Sequence, residues 1–235
     1  FYFSTGHTTS EVRSNSEIKI LHSPSNPAMK GSHIIEKVIC NLKVKGYNIN
    51  FVKLSNVPHK TVLDELAHAD IVIDQLYSDG FLPGFATEAA WFKKPVIIGG
   101  WGWKEIRETI PIEIVPSVFA IEEQQLEEAV EKLINDEGLR KELGQKCYNF
   151  VSQTWTPALV AEKYVKLING EASPDWFYDP MDCSYIWGAG LKKEDVIKNV
   201  NSIFLLEGEK ALCLDHNPKL KERFLSICDR QSSHK

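Results

Sequence analysis

The first half of the chain alternates between short apolar runs and longer stretches in which apolar residues recur every three or four positions. A short apolar run between turn residues is typical of a buried strand, and the longer spacing is typical of an amphipathic helix. The pattern predicts strands at 18–21, 48–54, 71–74, 95–98 and 112–115, and helices at 30–45, 58–68 and around Glu88. Such alternation indicates a parallel sheet with helices on both faces. We therefore expect an α/β fold with a doubly wound parallel sheet.

The second half is predominantly helical in its pattern, with predicted helices at 121–134, 139–151, 158–168, 194–206 and 218–229. The segment 172–191 is rich in proline and aromatic residues, so we expect it to be irregular but ordered. We divide the chain into a linker or remnant of a preceding domain (1–16), a ligand-binding domain (17–170) and an aromatic-rich segment with a helical extension (171–235, the C-terminal extension).

Composition narrows the function classes. The formal net charge is -5, which argues against a nucleic-acid-binding protein that relies on a basic field. The five cysteines form no CxxC pair, so neither a zinc site nor a disulfide framework is indicated, and we expect a reducing, cytoplasmic location. No apolar run approaches the ~20 residues of a membrane-spanning helix.

The segment 74–96 joins the end of one predicted strand to the start of the next through a glycine-rich loop and a short helix. Gly80 and Gly84 belong to the loop, and Glu88 lies in the helix. Unpaired N–H groups and the helix dipole make such a helix start suitable for binding an anion. The carboxylate of Glu88 suits the hydroxyls of a sugar or ribose better than a phosphate, because it only accepts hydrogen bonds.

This segment resembles the donor-binding core of retaining glycosyltransferases of the GT-B fold, close to family 4. The resemblance rests on Gly84-Phe85-Ala86-Thr87-Glu88-Ala89 and the following Lys94-Pro95-Val96. A second match lies upstream, where His22-Ser23-Pro24-Ser25-Asn26 ends a strand and Lys30-Gly31-Ser32 opens a helix. The resemblance implies a Rossmann-like domain, which is one of the two domains of a complete GT-B enzyme.

The resemblance also assigns roles. The positions implied to bind the donor diphosphate are Ser23, Lys30, Gly31, Gly80, Gly84, Phe85 and Ala86. Glu88 is implied to hold the ribose of the nucleotide. The family often has an arginine shortly before the lysine, but here that region reads Ser25-Asn26-Pro27-Ala28. We therefore expect another cation to replace it; the candidates are Lys53, Lys104 and Arg107.

A second departure concerns the donor sugar. Family 4 enzymes commonly have an earlier glutamate that meets this sugar, and the matching region here reads Ser78-Asp79-Gly80-Phe81. Asp79 is off by one position, so we assign no catalytic residue.

Four further residues near predicted strand ends are candidate contacts for the base or the sugar: His59, Asp74, Gln75 and Trp101. Ordinary structural roles are the alternatives, namely a surface histidine at a helix start, a carboxylate that caps a turn, and an aromatic ring packed at the cleft wall. The sequence leaves these alternatives open.

The resemblance implies transfer of a sugar from a nucleotide-sugar to a carbohydrate or lipid-linked acceptor, with retention of configuration. Because we count one Rossmann-like domain, we expect the donor-binding half of such an enzyme. We expect no cofactor, no metal and no nucleic-acid partner, and a cytoplasmic location that extends to the inner face of the membrane if the acceptor is lipid-linked. The alternatives are a non-catalytic module that binds a nucleotide-sugar or a partner protein, and a sugar-nucleotide epimerase of the same fold.

Overall fold

The computed structural model describes residues 17–77, 83–103, 118–120, 122–177, 179 and 192–229. Within these residues, five strands form one sheet: β1 (Ile18–His22), β2 (Ile49–Lys53), β3 (Ile71–Gln75), β4 (Val96–Ile98) and β5 (Val118–Phe119). Their order is β2-β1-β3-β4-β5, and every neighbouring pair is parallel. The predicted α/β class and parallel sheet are confirmed.

Eight α-helices lie in the described part of the chain. They are α1 (Ser32–Val44), α2 (His59–His68), α3 (Gly84–Trp91), α4 (Glu123–Asn135), α5 (Glu137–Thr154), α6 (Pro157–Ile168), α7 (Lys193–Glu207) and α8 (Pro218–Asp229). Two short 3₁₀ turns, Pro174–Trp176 and Glu209–Leu212, complete the regular structure that is described.

Alternate residues of each strand point to opposite faces of the sheet, and two separate hydrophobic cores result. Ile20 and Ile73 pack on one face with residues of α1 and α4. Leu21 and Val72 pack on the other face with residues of α2, α3 and α5. Helices thus cover both faces, which is consistent with a Rossmann-like arrangement.

The order of the strands fixes where a ligand is expected. The chain leaves β1 toward β2, crosses back through α2, and continues on the other side of β1 with β3 and β4. The direction of the strand order therefore reverses between β1 and β3. In open α/β sheets, ligands bind beyond the carboxyl ends of the strands at such a reversal.

The structure departs from the predicted elements in two places. The predicted strand at 112–115 lies outside the described residues, while β5 occurs at Val118–Phe119, where no pattern indicated a strand. Helix α6 forms as predicted, but none of its residues is buried, although its apolar spacing suggested a packed face. Among the described residues, no helix is both long enough and apolar enough to cross a membrane. The proposed division into domains remains a prediction.

Candidate functional site

The loop between β1 and α1 carries Lys30 to the carboxyl edge of the sheet. The side-chain oxygen of Asn26 accepts hydrogen bonds from the N–H groups of Ala28 (3.1 Å) and Met29 (3.2 Å), as is typical of an Asx turn. The carbonyl of Lys30 accepts a hydrogen bond from the N–H of Leu76, just after β3 (3.3 Å). These backbone contacts attach the loop to the end of β3.

Gly31 is required where this loop meets α1. Its φ is +73°, a left-handed conformation that glycine adopts without strain. A Cβ atom at this position would also lie 3.1 Å from side-chain atoms of Leu76 and Tyr77. Glycine therefore allows α1 to begin directly against the end of β3.

Asp74 lies at the centre of the site. Its side chain is fully buried, and it forms an ion pair with Lys30, whose side chain is 15% exposed. Its other oxygen accepts a hydrogen bond from the N–H of Ala86, in the first turn of α3 (3.1 Å). Burial raises the pKa of Asp74, and the nearby charge of Lys30 opposes this effect. Asp74 thus neutralises Lys30 and takes one of the anion-binding N–H groups of α3.

His22, the last residue of β1, links the end of β3 to the start of α1. Its Nδ1 lies 2.8 Å from the carbonyl oxygen of Ile73, and its Nε2 lies 2.7 Å from the hydroxyl of Ser32. Burial lowers the pKa of His22 to about 4, so the imidazole is neutral at pH 7. Because a carbonyl only accepts, Nδ1 carries the proton and donates, and Nε2 accepts from the Ser32 hydroxyl. Since Ser32 and His22 are both buried, this pair is structural.

A second acid–base pair joins the start of α2 to α3 at the surface. The Nε2 atom of His59, the first residue of α2, lies 2.7 Å from a carboxylate oxygen of Glu88 on α3. The side chains are 65% and 34% exposed. Glu88 is therefore held in one orientation while solvent, or a ligand, can still reach its carboxylate.

A stacked pair of aromatic rings lies at the carboxyl edge of the sheet. Tyr77 follows β3 and Trp101 follows β4, and their rings stack with centroids 6.2 Å apart and planes within 8°. The ammonium group of Lys192, at the start of α7, lies 4.3 Å from the centre of the Trp101 ring. Sequence reasoning missed both Tyr77 and Lys192. No local signal marks Lys192, because its contact spans a long distance along the chain.

Gln75 is an unusual residue at this edge. It is 5% exposed, and its side-chain nitrogen is buried without a hydrogen-bond partner among the described residues. Buried polar groups almost always have a partner, and one that lacks it calls for an explanation such as a bound water or ligand. The unpaired side-chain N–H group of Gln75 is therefore compatible with the predicted contact between this residue and a ligand.

The other predicted diphosphate contacts are distributed around this centre. Ser23 is half-buried just after β1, and Gly84 is the first residue of α3, with open space beside its Cα. Phe85 packs against the core on the α3 face of the sheet. Lys53, a candidate for the missing cation, is paired with Glu36. Gly80, Asp79, Lys104 and Arg107 lie outside the described residues.

Within the described residues, no group of three or more His, Cys, Asp and Glu side chains is arranged to hold a metal ion. No protein-family model matches the chain, and a comparison with curated protein sequences finds no match either. The proposals below are therefore argued from the contacts at the carboxyl edge of the sheet and from the motifs of the sequence.

Proposed function

We propose that this chain is the donor-binding domain of a retaining glycosyltransferase of the GT-B type. The observation that carries the proposal is the meeting of three motif residues at the carboxyl edge: Lys30, the start of α3 at Ala86, and the accessible carboxylate of Glu88. Lys30 and Glu88 come from the two sequence motifs that resemble the family, and both reach the reversal between β1 and β3, where ligands of such sheets bind.

The start of α3 is the proposed contact for a diphosphate. The N–H of Ala86 is bonded to Asp74, and that of Thr87 is bonded to the carbonyl of Pro83 (2.8 Å). The N–H groups of Gly84 and Phe85 have no partner among the described residues. Phosphate oxygens are suitable acceptors for these N–H groups, and the positive end of the helix dipole favours such oxygens.

Glu88 is the proposed contact for ribose. An ionised carboxylate accepts two hydroxyl hydrogen bonds without donating any, which matches a pair of neighbouring sugar hydroxyls. His59 lies 2.7 Å from one of its oxygens and fixes its orientation. In the resulting complex, the stabilised diphosphate would be the leaving group of sugar transfer to a carbohydrate or lipid-linked acceptor, by electrostatic stabilisation of developing charge.

One observation favours a second candidate, a module that binds a nucleotide-sugar without catalysing transfer. The charge of Lys30 is neutralised by Asp74, so the positive field offered to a leaving diphosphate is weaker than an unpaired lysine would supply. Hydrolysis of the donor separates the two candidates, since a transferase domain paired with its acceptor domain releases free sugar slowly and a binding module releases none.

The direct test is isothermal titration with nucleotides that differ at the ribose. We expect the chain to bind one of UDP, GDP or ADP, and to bind its 2′-deoxy or 3′-deoxy form about tenfold or more weakly, because an ionic hydrogen bond to Glu88 is lost. In Glu88→Gln this discrimination should largely disappear. Binding of none of the three nucleotides at millimolar concentration would overturn the proposal, and so would equal discrimination in the wild type and in Glu88→Gln.

A further inference from the structure

Three lysines among the described residues at the carboxyl edge are each neutralised by a carboxylate. Lys30 pairs with Asp74, and Lys53 pairs with Glu36. Lys60, near the start of α2, pairs with Asp64. The imidazole of His22 is neutral at pH 7, because burial lowers its pKa to about 4. These three lysines and His22 therefore offer a diphosphate at this edge little uncompensated positive charge.

Lys192 differs from these lysines. In the described part of the chain, its ammonium group has no carboxylate partner, and its contact is the face of the Trp101 ring at 4.3 Å from the centroid. A cation–π contact leaves N–H donors of the ammonium group that point away from the ring without an oxygen acceptor. Lys192 is also exposed, so these donors can reach a bound ligand.

A continuous set of contacts links Lys192 to the site. Trp101 stacks on Tyr77, and the Tyr77 ring lies 3.1 Å from the position of a Cβ on Gly31, the neighbour of Lys30. Lys192 precedes α7, so the C-terminal extension brings this cation to the edge of the sheet. Lys192 is far along the chain from both family motifs, so the fold brings it to this edge.

We propose that Lys192 is a cation that binds the phosphate groups of the ligand, from outside the family motifs. This inference rests on the proposed function, because it concerns the same nucleoside diphosphate. Trp101 holds the ammonium group at the carboxyl edge of the sheet. The C-terminal extension is then part of the binding site, and a ligand bridges it to the start of α3.

The test is titration of UDP, GDP and ADP into the full chain and into Lys192→Met, with Lys193→Met as the matched control. Lys193 is the next residue, is also exposed, and makes no ion pair that the described structure records. We expect Lys192→Met to raise the Kd of the bound nucleotide about tenfold or more and Lys193→Met to leave it nearly unchanged. Lys192→Arg should retain binding, because arginine also stacks on tryptophan and binds phosphate.

A second readout separates a phosphate contact from loss of packing. If Lys192 contacts phosphate, the Kd of Lys192→Met should depend less on salt between about 50 mM and about 300 mM than that of the wild type, because one screened charge pair is gone. An unchanged Kd in Lys192→Met, with a wild type that binds nucleotide, would overturn the inference and leave the proposed function intact. A wild type that binds no nucleotide would overturn the proposed function and this inference with it.

Discussion

Two pairs of an acid and a base flank the start of α3, and they differ mainly in burial. In the Lys30–Asp74 pair the side chains are 15% and 0% exposed, whereas in the His59–Glu88 pair they are 65% and 34% exposed. Both pairs join α3, directly or through its backbone, to another element of the fold. The same kind of contact therefore occurs once inside the protein and once at its surface.

The difference in burial suits the inner pair to a structural role and the outer pair to ligand binding. Breaking a buried pair leaves an uncompensated charge, so the buried contact resists exchange. An exposed pair contributes little to stability, because water and salt screen it. A ligand can therefore compete for Glu88 far more easily than for Asp74. We propose that the outer pair serves recognition and that the inner pair positions the loop and the helix.

Removal of the inner acid should have the largest effect. We expect Asp74→Ala to lower the free energy of unfolding by about 3–5 kcal/mol, because the ammonium group of Lys30 is left buried without a partner and the N–H of Ala86 loses its acceptor. Urea unfolding measures this loss. Asp64→Ala is the matched control: Asp64 pairs with Lys60 on the exposed surface of α2, and its loss should cost no more than about 1 kcal/mol.

The double variant Lys30→Met/Asp74→Asn sharpens this result. It removes both charges but keeps a side-chain oxygen for Ala86, so it should recover most of the stability that Asp74→Ala loses. A cost below about 1 kcal/mol for Asp74→Ala would show that the inner pair does not hold the site together.

The next largest effect is a pH dependence of the unfolding free energy, which His22 causes. Burial lowers the pKa of His22 from 6.5 to about 4, so the unfolded chain takes up a proton at a higher pH than the folded protein. The contribution of neutral His22 to the free energy of unfolding is fully present above pH 6.5. It is lost as the pH falls toward 4, by about 3 kcal/mol in total.

His22→Gln isolates this contribution, because glutamine does not titrate. The difference in unfolding free energy between the wild type and His22→Gln should shrink from pH 6.5 to 4 by that amount. Burial raises the pKa of Asp74, which gives stability the opposite dependence on pH, but this part is common to both proteins and cancels in the difference. A pH-independent difference would contradict the assignment of a neutral, buried His22.

The smallest effect on stability is expected for the outer pair. A double-mutant cycle with His59→Ala and Glu88→Ala should give a coupling energy of about 0.2–1 kcal/mol, typical of exposed pairs. Thermal or urea unfolding of the four proteins supplies this value. A coupling energy above about 2 kcal/mol would exceed what exposed pairs contribute and would remove the distinction between the two pairs.

The sequence predicted most strands of the sheet and the helices between them, because each has its own local pattern of apolar residues. The helix predicted at 58–68 forms at His59–His68, and the strand predicted at 48–54 forms at Ile49–Lys53. β5 was missed, since two residues carry no periodicity. The burial of α6 was not predictable either, because apolar spacing describes a helix and not what covers it.

The sequence also indicated Lys30, Asp74 and Glu88 as site residues, but not how they combine. Lys30 and Asp74 are 44 positions apart, and their contact depends on the pairing of β1 with β3. The partner of Glu88 is His59, which comes from another helix. Motifs name the residues of a site, while the contacts that neutralise or orient them come from the register of the sheet.

The most direct test of this account measures stability and ligand binding together in Glu88→Gln. Glu142→Gln, at an exposed ion pair on α5, is the control. The account predicts that Glu88→Gln raises the Kd of the nucleotide about tenfold or more while its melting temperature stays close to that of Glu142→Gln. A melting temperature that falls well below the control, with an unchanged Kd, would make Glu88 a structural residue and would contradict the assignment of recognition to the outer pair.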